Sequence, residues 1–238
     1  MRICGLQKLT LLDYPDHIAC TIFTSGCNFM CPFCQNSSLV LNIDRNVEIP
    51  EDEVLDFLKK RVGILEGVCI TGGEPTLQRD LEDFIKKVKE LGFKVKLDTN
   101  GYKPEILKKL VNEKLIDFVS MDIKNSPEKY PLTAGIDKIN MDLIKNSVDF
   151  LISNGVDYEF RTTVVKEFHE RGDFVEIAKF IKGAKRYYLQ QFRDSESCIQ
   201  QNLHAWGKDE LIKFIEILAE NGVKAELRGI EWGEKDYV

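Results

Sequence analysis

The amino-acid sequence predicts an α/β protein built on a parallel sheet, in the form of a partial, open (β/α)6 barrel. Short apolar runs of strand length alternate along the chain with longer amphipathic segments. Gly92, Gly155 and Gly222 each follow a helical segment and precede a strand, as expected of a glycine that ends a helix. The strand–helix unit recurs six times, which requires parallel strands and right-handed crossovers but is too few for a closed eight-stranded barrel.

Seven segments have the length and apolar character of β-strands. The seventh is short and follows the last helical segment. In chain order, the predicted strands are 17–24, 68–71, 93–98, 118–123, 158–165, 186–191 and 223–227.

Six longer segments repeat apolar residues at three- and four-residue spacing, which is typical of helices with one buried face. The second segment shows the pattern most clearly, because charged residues fill its other face. Its apolar positions are Leu77, Leu81, Phe84, Ile85, Val88 and Leu91. In chain order, the predicted helices are 51–61, 77–91, 104–112, 141–154, 174–182 and 208–221.

The size and composition of the chain predict one domain over residues 1–238. Its 238 residues, 43% of them hydrophobic, are enough to bury a core. A net charge of -6 with scattered basic residues excludes a nucleic-acid footprint, and no apolar run reaches the ~18 residues of a membrane span. The charged amino-terminal segment lacks the apolar stretch of a signal peptide, so we expect a cytoplasmic protein without nucleic-acid or membrane partners.

Three cysteines in the segment GCNFMCPFC, namely Cys27, Cys31 and Cys34, are the strongest sign of chemistry in the chain. A cluster of four irons needs one ligand per iron, so three thiolates leave one iron open to a substrate or cofactor. Ferredoxin clusters and structural zinc sites instead close all of their metal positions with protein ligands. The other cysteines stand alone in the sequence, and a zinc site completed by a distant residue is the alternative.

Polar residues follow the predicted strands, and in a parallel barrel these strand ends meet at the edge that carries the chemistry. Loops are generally polar, so a solvated surface position is the alternative for each of them, above all for Lys124 and Arg161. The candidate site residues are Gly72, Gly73 and Glu74 after the second strand, Asp98 and Asn100 after the third, Asp122 and Lys124 after the fourth, and Arg161 on the fifth.

The segment TGGEP at residues 71–75 has the composition of a ligand-binding turn. Gly72 and Gly73 allow the backbone to approach a ligand closely, and Glu74 can hold a cationic amine. The alternative is an ordinary turn whose acidic residue lies at the start of the next helix, where the helix dipole favours it.

The three-cysteine loop, followed one strand–helix unit later by TGGEP, resembles the radical S-adenosylmethionine (radical SAM) enzymes. The run GLQKLTLLDYPDHIACTIFTSGCNFMCPFCQN is similar to the activating enzymes of glycyl radical enzymes, and most closely to the anaerobic ribonucleoside-triphosphate reductase activating proteins. The segments LDTNG at 97–101 and MDIK at 121–124 also resemble the SAM-binding segments of the pyruvate formate-lyase activating enzyme.

This resemblance implies the cofactors and their ligands. It implies one 4Fe-4S cluster on the three cysteines, SAM on the open iron, and a partial (β/α)6 fold of the radical SAM type. Phe33 is expected to shield the cluster or contact adenine, although simple packing of the loop explains it equally. By resemblance, the SAM-binding residues are Gly72, Gly73 and Glu74 at the methionine amine, Lys124 and Arg161 near the carboxylate or ribose, and Asp98, Asn100 and Asp122 in the two remaining segments.

The resemblance also implies the reaction and the partners. A reduced cluster cleaves SAM to methionine and a 5'-deoxyadenosyl radical, which takes a hydrogen atom from a glycine of a partner enzyme. The expected partner is a glycyl radical enzyme, in the first place an anaerobic ribonucleotide reductase, and the expected electron donor is a flavodoxin or ferredoxin. The alternatives are a radical SAM enzyme that acts on a small molecule and a non-catalytic iron–sulfur electron carrier.

The acidic pair Asp98 and Asp122 requires a compensating cation, because two carboxylates at the ends of adjacent strands repel each other. Lys124 is one candidate. A bound monovalent metal ion, suggested by the resemblance to the pyruvate formate-lyase activating enzyme, is the other. Two solvated aspartates are the alternative to both.

Overall fold

A computed structural model of the protein describes residues 1–43, 47–153 and 155–230. It divides the chain into two compact units, which are described separately here. The single domain over residues 1–238 therefore stays a prediction. The first unit consists of Met1–Met30, Asn36–Asp122 and Asn140–Tyr158, and the second of Cys31–Gln35, Ile123–Ile139 and the chain from Glu159 onward.

The first unit is built on five strands that are hydrogen bonded in chain order. The first strand is antiparallel to the second, and each later strand is parallel to the one before it. The strands are β1 (Ile3–Thr10), β2 (Ala19–Thr24), β3 (Gly67–Gly72), β4 (Lys94–Thr99) and β5 (Phe118–Asp122).

Helices connect the parallel strands of this unit and cover the sheet. Helix α3 shows why these segments are helical, because Leu81, Phe84, Ile85 and Val88 share one face and are almost completely buried. Burial of such side chains contributes roughly 1.5–3 kcal/mol each relative to exposure. The helices of the unit are α1 (Ser37–Leu41), α2 (Glu51–Lys59), α3 (Leu81–Glu90), α4 (Pro104–Asn112) and α6 (Met141–Ser153).

The second unit continues the parallel order with β6 (Asp157–Val164), β7 (Tyr187–Gln191) and β8 (Glu226–Arg228). The boundary between the units falls within β6, after Tyr158. Helices α5 (Tyr130–Ala134), α7 (Arg171–Phe180) and α8 (Lys208–Glu220) complete the unit.

The core of the second unit contains stacked aromatic rings. Phe174 of α7 and Phe214 of α8 are fully buried, and their ring centroids lie 4.3 Å apart. Offset or stacked aromatic pairs add to the stabilisation that burial provides. The two helices are therefore held together by a specific contact as well as by burial.

The prediction of an α/β fold with a partial (β/α)6 order is confirmed. Each predicted strand and helix corresponds to an observed one, with ends that differ by a few residues; position 154 of the fourth helix lies outside the described residues. Among the strands and α-helices of the described residues, those that were not predicted are β1, α1 and α5. The last two have only five residues each and are too short to show a helical period.

Candidate functional site

The three cysteines lie in the loop between β2 and α1. In the first unit, the backbone N–H of Phe29 donates a hydrogen bond to Sγ of Cys27 at 3.3 Å. In the second unit, the N–H of Cys34 donates to the carbonyl oxygen of Cys31 at 2.9 Å, which closes a tight turn. None of these three cysteines forms a disulfide bond. Among the described residues, no group of three or more His, Cys, Asp or Glu side chains is arranged to hold a metal ion.

Two amide side chains lie beside Cys27. Nδ2 of Asn100 lies 3.9 Å from Sγ of Cys27 and donates to Oδ1 of Asn28 at 2.9 Å. Nδ2 of Asn28 is buried and has no hydrogen-bond partner among the described residues. Thiolates and cluster sulfides accept hydrogen bonds from amides, so a buried donor without a partner next to Cys27 fits an iron–sulfur cluster at this loop.

The two glycines of TGGEP allow close contact between backbones. A Cβ on Gly72 would lie 2.4 Å from the backbone nitrogen of Thr24, and one on Gly73 would lie 2.0 Å from the carbonyl oxygen of Gly26. The N–H of Gly73 donates to the carbonyl of Thr24, and the N–H of Glu74 to that of Gly26, each at 2.8 Å. The sequence predicted that the backbone at Gly72 and Gly73 approaches a ligand closely. In this structure, that backbone approaches the base of the cysteine loop.

The carboxylate of Glu74 connects the ends of β3 and β4. It is only 1% exposed and accepts four hydrogen bonds, from N–H and Oγ1 of Thr76, Oγ1 of Thr99 and N–H of Asn100. Burial raises the pKa of this carboxyl, and the four hydrogen bonds oppose that rise. Both oxygens are thus engaged within the protein, and direct contact of Glu74 with a ligand amine stays a prediction.

A buried lysine accompanies Asp98, and sequence reasoning missed it. Lys96 is 2% exposed, its ammonium forms a salt bridge with Oδ1 of Asp98, and its Nζ lies 3.8 Å from Sγ of Cys69. For the cation beside Asp98 the sequence analysis named Lys124 or a monovalent metal ion. The structure has Lys96 in contact with this carboxylate. The strand alternation could have indicated it, because residues 96 and 98 share one face of β4.

Asp122 lies at the end of β5 in the first unit. The two remaining predicted residues, Lys124 and Arg161, belong to the second unit. Nζ of Lys124 lies 6.0 Å from the ring centroid of Phe33, which is buried. Arg161 lies on β6, and its carbonyl oxygen accepts a hydrogen bond from the N–H of Ile123 at 2.9 Å. The second unit thus brings Lys124 to Phe33 of the cysteine loop, as a cofactor site there would require.

The sequence matches the family model described as the Radical SAM superfamily over residues 21–181. The chain belongs to the radical SAM superfamily. Radical SAM proteins use a 4Fe-4S cluster and S-adenosylmethionine, so the predicted cofactors are confirmed at the level of the family.

Two curated relatives are similar over most of this radical SAM chain. A Methanocaldococcus jannaschii protein named "Putative glycyl-radical enzyme activating enzyme" is 35% identical over 201 residues, which make up 82% of this chain and 81% of the relative. A GTP 3',8-cyclase of Helicobacter pylori is 30% identical over 213 residues, which make up 85% of this chain and 61% of the cyclase.

Among solved structures, SuiB of Streptococcus suis bound to S-adenosylmethionine has a similar fold, with a TM-score of 0.63 and 19% sequence identity. The match covers 88% of this chain, and the chain spans about half of SuiB, 52% of its length. This likeness confirms the radical SAM fold. Among the described residues, no helix is long and apolar enough to cross a membrane.

His169 supports Lys124 from within the second unit, and its titration gives a testable pH dependence. The ring is fully buried, Nδ1 accepts from the N–H of Val165 at 3.1 Å, and Nε2 donates to the carbonyl oxygen of Lys124 at 2.8 Å. Burial lowers the pKa of His169. Between the ordinary pKa of about 6.5 and the lowered value, the unfolded state binds more protons than the folded state.

We therefore expect the titration of His169 to leave the free energy of unfolding unchanged above about pH 6.5. Below that pH the free energy of unfolding should fall by up to about 1.4 kcal/mol per pH unit, because the unfolded state takes up a proton that the buried ring does not. Denaturant unfolding between pH 7.5 and 5 measures this slope. The variant His169→Gln should show a shallower slope. Equal slopes for wild type and His169→Gln would contradict the expectation.

Proposed function

We propose that this protein is a radical SAM activating enzyme that generates a glycyl radical on a partner enzyme. The observation that carries the proposal is the 35% identity to the Methanocaldococcus jannaschii relative, which extends over most of both chains. The similarity of the amino-terminal run to the activating enzymes of glycyl radical enzymes supports the same assignment.

In this proposal, Cys27, Cys31 and Cys34 are the thiolate ligands of one 4Fe-4S cluster. Together, the bound cluster and SAM supply one-electron cleavage of the sulfonium and a 5'-deoxyadenosyl radical. The backbone N–H of Phe29 and the side-chain amide of Asn100 donate towards the sulfur of Cys27, which stabilises its thiolate form. The protein otherwise orients the reactants and excludes water.

Gly72, Gly73 and Glu74 organise the methionine end of SAM in this proposal. Their support is geometric, because the hydrogen bonds of Gly73 and Glu74 attach TGGEP to the cysteine loop, and the carboxylate of Glu74 holds the N–H of Asn100. A rigid connection between these loops would fix the distance between Cys27 and the bound methionine.

The remaining contacts complete the proposed SAM site. Asp98 and Asp122 lie at the ends of adjacent strands, and we assign them to the same site. Lys124 and Arg161 are assigned to the carboxylate or ribose of SAM, and Phe33 to shielding of the cluster. The cation beside the Phe33 ring supports the assignment of Lys124.

We propose an anaerobic ribonucleotide reductase as the partner and a low-potential flavodoxin or ferredoxin as the electron donor. A strong reductant is needed because iron–sulfur potentials extend down to about -700 mV. Seven cysteines, an odd number with three of them in one short loop, favour reduced thiols and a cytoplasmic setting.

A second candidate function is a radical SAM reaction on a small molecule. The similarity to a GTP 3',8-cyclase, which covers 85% of this chain, supports it. A non-catalytic electron carrier is disfavoured, because a carrier has no use for an open iron.

Electron paramagnetic resonance (EPR) tests the proposal. The protein, with its cluster reconstituted under anaerobic conditions, is incubated with SAM, a reductant and an anaerobic ribonucleotide reductase. We expect a glycyl radical doublet on the reductase, and no doublet when the partner's radical glycine is replaced by alanine or when Cys34→Ala is used. Turnover of a free metabolite, without a doublet on any of several glycyl radical enzymes, would contradict the proposal and support the second candidate.

A further inference from the structure

Lys96 is unusual because a lysine inside a strand is almost completely buried. It lies on β4, in register with Cys69 of β3, and only 2% of its surface is exposed. Lys94, two residues earlier on the same strand, is exposed and lies 3.2 Å from Nε2 of His17 at the surface. The sequence pattern around both lysines is similar, but in the structure Lys94 is a surface cation and Lys96 is an internal one.

The burial of this ammonium group requires compensation. An unpaired charge in a protein interior is strongly unfavourable, and lysines are almost never fully buried unless paired. Lys96 has two contacts that meet this requirement, the salt bridge to Oδ1 of Asp98 and the contact with Sγ of Cys69. The side chain therefore extends along β4 towards its carboxyl end, where the candidate site residues lie.

The acidic pair lies at this end of the sheet. Asp98 is in register with Ser120 of β5, so Asp122 lies two residues further along the neighbouring strand and on the same face. At these two aspartates a monovalent metal ion was one of the two candidate cations that the sequence suggested. A metal ion on the oxygen of Asp98 that already holds the ammonium would experience strong repulsion from a like charge at short range.

We propose that Lys96 is a built-in cation that replaces a monovalent metal ion beside Asp98. As a consequence, SAM binding by this chain does not depend on potassium or sodium. Lys96 is a positioning residue in this account, because its ammonium acts on SAM through the charge and orientation of the Asp98 carboxylate. The inference rests on the SAM site of the proposed function and is independent of whether the substrate is a protein glycine.

The consequence is tested by SAM binding, measured by anaerobic equilibrium dialysis of the cluster-containing protein. We expect the dissociation constant of the wild type to change less than about twofold when potassium and sodium are replaced by tetramethylammonium. For Lys96→Met we expect weaker binding in tetramethylammonium, by about tenfold or more, and substantial recovery when potassium or sodium is added. Lys94→Met is the matched control on the same strand and should behave as wild type.

Thallium-205 nuclear magnetic resonance provides a readout that is independent of SAM and of activity. Thallium(I) is a probe for potassium sites, and we expect no bound thallium signal displaced by potassium in the wild type but such a signal in Lys96→Met. The double variant Lys96→Met, Asp98→Asn removes both charges, and it should fold and bind no thallium. If Lys96→Met does not fold, the two wild-type measurements still decide the question.

A tenfold or greater dependence of wild-type SAM binding on potassium or sodium would overturn the inference, as would a wild-type thallium site that potassium displaces. Failure of the proposed function is distinguishable, because it would appear as a missing glycyl doublet in a protein whose SAM binding is intact.

Discussion

Replacement of any one of Cys27, Cys31 or Cys34 by alanine is expected to abolish assembly of the 4Fe-4S cluster. A cluster with an open iron has only three protein ligands, and loss of one leaves two irons without a thiolate. The buried Nδ2 of Asn28, the residue after Cys27, has no hydrogen-bond partner in the described part of the chain, which supports a cluster at this loop. Iron and sulfide content, together with the visible absorption band after anaerobic reconstitution, measure the result.

Cys20→Ala is the matched control for the cluster ligands. Cys20 is fully buried on β2, and burial raises its pKa to about 12, which disfavours the thiolate form that binds iron. We expect this variant, and the corresponding variants at Cys4, Cys69 and Cys198, to keep the cluster. If cluster assembly required Cys69 or Cys198, a fourth thiolate would close the cluster, and no iron would remain open to SAM.

The second large effect is expected at Glu74. Both carboxylate oxygens accept hydrogen bonds from backbone N–H groups, one from Thr76 and the other from Asn100. In Glu74→Gln one of these oxygens becomes an NH2 group, which cannot accept, so a buried donor remains unsatisfied. We expect a loss of about 1–3 kcal/mol in the free energy of unfolding.

SAM binding should also weaken in Glu74→Gln, by roughly tenfold to a hundredfold, because Glu74 holds the loop of Asn100 against the cysteine loop. Denaturant unfolding and anaerobic equilibrium dialysis measure the two effects. Glu90→Gln, at an exposed position on α3, is the control and should change neither quantity. Wild-type stability and SAM affinity in Glu74→Gln would show that the hydrogen bonds of this carboxylate do not organise the site.

The helices and strands that the sequence predicted are those with a regular local pattern of apolar and polar residues. Helix α4 was predicted with its observed bounds, Pro104–Asn112, because proline starts it and apolar residues repeat along one face. Strand β1 was missed because it has an irregular pairing with β2 and a run of three exposed residues, 7–9, in its second half. Its pattern therefore lacks the alternation of a half-buried strand.

The parts of the site that were not predicted depend on contacts between distant segments. The sequence predicted a close backbone approach at Gly72 and Gly73. The atom that leaves no room for a Cβ at residue 73 is the carbonyl oxygen of Gly26, which lies in a different loop. The burial of Lys96 likewise depends on Asp98 and Cys69, and the sequence pattern alone predicts a solvated lysine. Residue types and their order thus predicted a candidate site, and the contacts described above depend on tertiary structure.

The central claim is that this radical SAM chain cleaves SAM reductively at a cluster on Cys27, Cys31 and Cys34. The most direct test is chromatographic measurement of 5'-deoxyadenosine after anaerobic incubation of the reconstituted protein with SAM and dithionite. The account predicts 5'-deoxyadenosine and methionine in equal amounts from the wild type, and neither product from Cys34→Ala. Absence of 5'-deoxyadenosine from wild-type protein with an intact, reduced cluster and bound SAM would contradict it.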